Sequence, residues 1–171
     1  VIVKQPCDCS EPYDIAAIVA GYQAKNDNDK QGISASELTD LPNAKVLELE
    51  LVKEGAQVLF GGTENHMILI DTVASYGLSG KEAEERLDAI GITVNKNVIP
   101  DDPRGPLDPS GLRIGVPAIT TRGMKEAETR LIARAIARIL QVSAADKGYQ
   151  RIRVALRKEI TQLCKAFPLY K

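Results

Sequence analysis

Between Ser110 and Met124 the chain reads SGLRIGVPAITTRGM, and the arginine near its start could do chemistry. In an extended strand successive side chains point to opposite faces. Leu112 and Ile114 then enter a core, while Gly111, Arg113 and Gly115 share the other face. Two glycines leave room beside a planar guanidinium whose forked donors suit bidentate capture of a carboxylate. The same pattern also suits an edge-strand arginine that points into solvent. A second polar cluster is Asn95-Lys96-Asn97, flanked by Val94 and Val98. Its two amides share a face opposite Lys96. Each amide offers a donor and an acceptor, which can read the edge of a heterocycle or cap a turn before the proline-rich stretch that follows.

Other reactive residue types lack partners. The single histidine, His66, stands in GGTENHMILID without a nucleophile motif or a charged orienting group, so a structural hydrogen-bonding role is expected. GGTEN lacks the Lys-Ser or Lys-Thr ending of a phosphate loop. Cys7, Cys9 and Cys164 are an odd set, and with one histidine they do not complete a structural zinc site. Cys164 falls on the apolar side of a predicted helix and is expected to be packed. Asp27, Asp29 and Gly32 match the first, third and sixth positions of a calcium loop. Leu38 then stands where the bidentate glutamate belongs, and Ile33 comes one place early, so a solvated turn is expected instead.

The bulk properties narrow the classes of partner. The chain has 171 residues, 44% hydrophobic and 26% charged, a globular balance with room for one domain and an appendage. A net charge of −1 supplies no global field for nucleic acid or an anionic membrane, and neither partner is expected. Apolar runs such as Met67–Ile70 are too short to span a bilayer. VIVKQPCDCSEP has no charged region followed by an apolar stretch, so no secretory signal is read there; with the odd cysteine count this points to the cytoplasm.

Several elements must position the arginine. Residues 41–55 have helical spacing, with Ala44, Leu47, Leu51 and Val52 on one face and Gly55 at the stop. Residues 56–62 and 66–72 read as strands joined by the GTEN turn. A helix follows over 78–91, with Ser79 and Glu82 as a capping box, Ala83, Leu87 and Ile90 inward, and Gly91 at its end. Residues 92–99 return as a short strand. Pro100, Pro103, Pro106 and Pro109 predict a stiff, extended loop that either connects or walls a site. A helix over 123–140 buries Leu131, Ala135, Ile136 and Ile139 and turns Glu126, Arg130, Arg134 and Arg138 to solvent. A last helix, about 147–166, carries Ile152, Leu156, Ile160 and Leu163 inward. Helices alternating with short strands give an α/β (α+β layered) fold.

VLFGGTENHMILIDT, GKEAEERLDAIGITVNKNVIPDDP, SGLRIGVPAITTRGM and the terminal FPLY together resemble the C-terminal domain of serine hydroxymethyltransferase, in the same order from about Leu41 to Tyr170. The resemblance divides the chain into an unrecognised segment, 1–40, and a C-terminal domain, 41–171. It implies the small domain of a fold-type-I pyridoxal-phosphate enzyme, with a short, mostly antiparallel sheet packed with helices. The implied reaction is one-carbon transfer between serine and tetrahydrofolate, giving glycine and methylenetetrahydrofolate. By the same resemblance Arg113 binds the α-carboxylate of the amino acid, Asn97 contacts the pterin ring, and the proline loop borders the folate site. The family's Thr-rich cofactor-lysine motif is not in this sequence, and the aspartate and histidine that engage the cofactor belong to the large domain. The chain is therefore expected to be inactive alone and to need a large domain, which would hold pyridoxal 5′-phosphate, within a homo-oligomer. A non-catalytic binding or assembly module derived from that domain is the other expectation. Two departures stand out. GVPA replaces the family's GTPA, so Val116 loses a hydroxyl beside the arginine strand, and Leu107-Asp108-Pro109 replaces a stretch that is usually aromatic and hydroxyl-bearing.

Overall fold

The computed structural model describes residues 35–169. Its elements are α1 (Ala35–Lys53), β1 (Gln57–Val58), a 3₁₀ turn (Leu59–Gly61), β2 (Met67–Asp71), α2 (Thr72–Tyr76), α3 (Gly80–Ile90), β3 (Asn95–Asn97), β4 (Gly111–Gly115), α4 (Pro117–Thr121), α5 (Glu126–Gln141) and α6 (Tyr149–Ala166). The strands form one sheet in the order β1-β2-β4-β3, antiparallel throughout. Cys7, Cys9 and the calcium-like residues from Asp27 to Ile33 lie outside the described residues.

Alternation places Ile68, Ile70, Leu112 and Ile114 on one face of this sheet, all buried. They join Ala44, Leu47 and Leu51 of α1, Ala83, Leu87 and Ile90 of α3, and Ile136, Ile139 and Leu140 of α5 in one core. Burying each large aliphatic side chain contributes about 1.5–3 kcal/mol, so this helix layer is what fixes the sheet. α6 packs on α3 and α5 through Leu156 and Ile160, with Ile152 and Cys164 half-buried beside them. Arg86 links the same elements. Its guanidinium is buried, donates to Val142 O at 2.6 Å and Glu82 Oε1 at 2.7 Å, and lies 5.5 Å from the Tyr149 ring centre.

Some sequence expectations are corrected. α1 begins before Leu41 and carries Pro42 inside it. Val52 is 44% exposed and Leu131 56% exposed. Leu131 lies about 200° around the helix from the buried Thr129, and so faces away from the core. The strand expected over 56–62 stops after two residues, because Phe60 (φ 59°) and Gly61 (φ 74°) turn the chain left-handed. Ser79 does cap α3, accepting from Glu82 N at 3.2 Å, but the Glu82 carboxylate pairs with Arg86 instead of completing the capping box. The proline loop is not extended. It folds around Asp102, whose carboxylate accepts from the N–H groups of Ile99, Arg104 and Ser110.

Candidate functional site

Arg113 sits at the middle of β4, between β2 and β3, and its side chain is exposed on the face away from the helix layer. Cross-strand register places Leu69 beside it on one side and Asn95 on the other. Directly opposed residues on antiparallel strands share a face with Cβ atoms about 5 Å apart, so these two flank the guanidinium stem. Among the described residues, six ion pairs form, and Arg113 takes part in none of them. An exposed guanidinium that is in no ion pair among the described residues can receive a carboxylate.

The two glycines beside Arg113 do different things. A Cβ on Gly111 would meet Ile99 Cγ2 at 2.4 Å and Asn97 O at 2.6 Å, so packing demands glycine there. A Cβ on Gly115 would make only ordinary contacts, from 3.6 Å upward. Packing therefore tolerates a small side chain at position 115 and does not demand glycine there.

Asn97 is half-buried at the end of β3, opposite Gly111, and its Nδ2 donates to Val98 O at 2.6 Å. Asn95, exposed, is the cross-strand neighbour of Arg113. The sequence reading placed both amides on one face but could not say which of them stood beside the arginine, because strand register is not written in a three-residue motif. Lys96 points to the other face, where its Nζ pairs with Glu84 Oε2 at 3.2 Å and its N–H donates to Glu84 Oε1 at 3.0 Å.

The loop after β3 is organised by carboxylates. Asp102 Oδ1 also accepts from Ser110 Oγ at 2.7 Å. Partial desolvation pushes the Asp102 carboxyl up, but the hydrogen bonds from Ser110, Arg104 and Ile99 outweigh it and hold it at about 2. The Ser79 hydroxyl and the Arg104 guanidinium lower Asp108 as well. Leu107, at the loop's tip, is 85% exposed.

The remaining candidate positions make the following contacts. The His66 carbonyl accepts from Val116 N at 3.0 Å, which ties the start of β2 to the exit of β4. The GGTEN loop wraps a buried carboxylate: Glu48 Oε2 accepts from Thr63 N at 2.8 Å and Lys45 Nζ at 3.1 Å. Val116 is fully buried, continuing the alternation of Leu112 and Ile114, so a hydroxyl at this position would enter the core rather than stand beside Arg113. A groove of about 250 Å³ lies between Pro42, Asn43, Thr120, Gly123, Met124 and Lys125. It contains neither Arg113 nor Asn97, and its Asn43 amide is already bonded to Thr120 Oγ1 and Met124 O, each at 3.0 Å. Among the described residues no group of three or more His, Cys, Asp or Glu side chains could hold a metal ion, and no helix is long and apolar enough to cross a membrane.

A family model described as serine hydroxymethyltransferase matches residues 13–136. The chain belongs to the serine hydroxymethyltransferase family. It is similar to the serine hydroxymethyltransferase of Francisella tularensis subsp. novicida (strain U112), 47% identical over 131 residues, which is 77% of this chain and 30% of that protein. It is also similar to the serine hydroxymethyltransferase of Desulforapulum autotrophicum, 45% identical over 129 residues, 75% of this chain and 29% of that protein. The chain therefore spans about three tenths of the length of the curated relatives it matches. The match to the serine hydroxymethyltransferase family includes β3, the proline loop and β4, and ends at residue 136 inside α5.

Proposed function

We propose that this chain is the C-terminal domain of a pyridoxal-phosphate-dependent serine hydroxymethyltransferase. It supplies the amino-acid and folate contacts of an active site completed by a large domain. The observation that carries this reading is the exposed Arg113 guanidinium on the outer sheet face, in no ion pair among the described residues. Arg113 takes the α-carboxylate of serine or glycine through its fork of donors. Asn97 contacts the pterin ring of tetrahydrofolate, and the Asp102-centred loop borders that ring. The whole enzyme moves the hydroxymethyl carbon of serine to tetrahydrofolate, works as a homo-oligomer, and resides in the cytoplasm.

Among the described residues, the two half-buried lysines in ion pairs do not fit the covalent anchor that pyridoxal phosphate needs. Lys45 and Lys96, both half-buried, are neutralised by Glu48 and Glu84. Such a nucleophile needs an unprotonated amine in an enclosed site. The cofactor is assigned to the large domain, and this chain alone is inactive.

The test is to assemble the chain with a large domain and follow serine cleavage with and without tetrahydrofolate. Arg113→Ala is expected to lower kcat/KM for serine about 100-fold, the cost of leaving a substrate carboxylate without its charged partner. Arg113→Lys stays well below the parent, since a point charge lacks the fork. Asn97→Ala weakens the folate-dependent reaction and spares folate-independent cleavage of other β-hydroxy amino acids. Failure of any large domain to confer activity, with the chain folded, would leave a non-catalytic binding module instead.

A further inference from the structure

We propose that Asp102 is a positioning residue for the amino-acid and folate contacts, setting the places of Arg113 and Asn97 through the two ends of the proline loop. This rests on the reading of Arg113 and Asn97 given above. Asp102 lies in the connection between the two strands that carry them. One carboxylate oxygen, Oδ2, accepts from Ile99 N at 3.2 Å and from Ser110 N at 2.9 Å. The exit of β3 and the entry of β4 therefore hang from a single atom. The other oxygen, Oδ1, takes Ser110 Oγ at 2.7 Å and Arg104 N at 2.9 Å.

The two anchored residues lead directly to the site. Ile99 is two residues beyond Asn97, and its Cγ2 presses on Gly111, where no Cβ would fit. Ser110 precedes Gly111 and lies three residues before Arg113. Ser110 is buried, and its carbonyl accepts from both the N–H and the hydroxyl of Thr72 at 2.9 Å. Asp102 thus connects, through Ser110, to the fully buried start of α2. The Asn95–Arg113 and Asn97–Gly111 pairings follow immediately in the ladder. Movement at either anchor is transmitted along a short, stiff path to the guanidinium. A substrate group displaced by about 1 Å can cost roughly 100-fold in rate.

Asp102→Asn is the sharpest variant, because it keeps the shape and replaces one acceptor oxygen with a donor. The N–H groups of Ile99 and Ser110, or the Ser110 hydroxyl and the Arg104 N–H, then face an NH₂ group. In the chain assembled with a large domain, well below its melting temperature, the expected result is a rise of about tenfold in KM for serine and for tetrahydrofolate. A merely stabilising Asp102 predicts fewer folded molecules instead, with lower kcat and unchanged KM. Ser110→Ala, which removes one bond and keeps the backbone acceptances, should raise both KM values about threefold, less than Asp102→Asn does. In the chain itself, amide hydrogen exchange at Gly111, Leu112 and Arg113 should quicken in both variants while the exchange of α5 stays unchanged.

Arg113→Ala is the control that separates two failures. If it leaves the serine KM unchanged, the reading of Arg113 is wrong. If it raises the serine KM while folded Asp102→Asn does not, the positioning role of Asp102 is overturned. Should Asp102→Asn fail to fold, an unchanged KM in Ser110→Ala overturns it equally.

Discussion

Tyr76, at the end of α2, has a buried hydroxyl that makes no hydrogen bond to the described residues. Burial, with the Glu54 carboxylate adding to it, pushes this phenol up to about 12. An unsatisfied buried hydroxyl costs about 1–3 kcal/mol, and removing it relieves that cost. Tyr76→Phe is therefore expected to raise stability by about 1 kcal/mol, roughly 2–4 °C in Tm for a chain of this size. A calorimetric melt decides it, and a lower Tm would mean that the hydroxyl has a partner. Val116 makes the opposite case. It is fully buried between the core strand β4 and α4, so Val116→Thr places a hydroxyl among apolar side chains. The expected loss is about 1–2 kcal/mol, with the serine KM of the assembled enzyme unchanged. A changed KM at unchanged stability would put position 116 beside the substrate instead.

The Asp102 loop is held by hydrogen bonds to one carboxylate, so its order is expected to depend on that group's ionisation. Its carboxyl sits at about 2 in the folded chain against an ordinary 3.8. The lowered value means that the ionised form favours the folded loop. That contribution is complete above about pH 4 and is lost as pH falls toward 2. Amide exchange or proteolysis in the segment from Ile99 to Ser110 should therefore rise between pH 4 and 2 in the parent. In Asp102→Asn the loop should already be open at pH 7, with no further change across that window. The proline spacing correctly marked this stretch as conformationally restricted, yet it suggested an extended path. Prolines fix their own φ angles but do not say where an intervening aspartate will send its oxygens, and here four donors converge on it. The core strand was easier to read, since alternation in GLRIG dictates which side chains are buried before any partner strand is known. Asn95 beside Arg113 was not readable, because it depends on the register of a pair of strands separated by thirteen residues of loop, 98–110. Glu48 and Glu50, buried on α1, were equally hidden; their partners Thr63 and Arg134 are distant in sequence.

On the proposed function the whole chain presents half of a binding site, and its ligand affinity should show that. The 44% hydrophobic content builds one core behind the sheet, while Arg113 is left on the outer face in contact with water. A fully hydrated ion pair at about 4 Å is worth only about 1 kcal/mol, and exposed pairs measure roughly 0–1 kcal/mol. On that basis serine or glycine should bind the chain alone with a dissociation constant above about 100 mM, beyond what calorimetry detects. On the same reading, a large domain that covers the sheet face would lower the local dielectric and supply partners for the ammonium and hydroxyl groups. The same guanidinium then contributes several times more, because the Coulomb energy scales inversely with the effective dielectric. Serine affinity in the assembled enzyme should therefore exceed that of the isolated chain by at least about 100-fold, and Arg113→Ala should remove most of the gain. Titration of the Arg113 Nε–H resonance with serine, with and without the large domain, measures this. Tight binding to the isolated chain would mean that Arg113 is already enclosed and that the site is complete within 171 residues. Equal weak binding in both states would mean that the large domain covers some other face, and that the open side of the sheet serves a different partner.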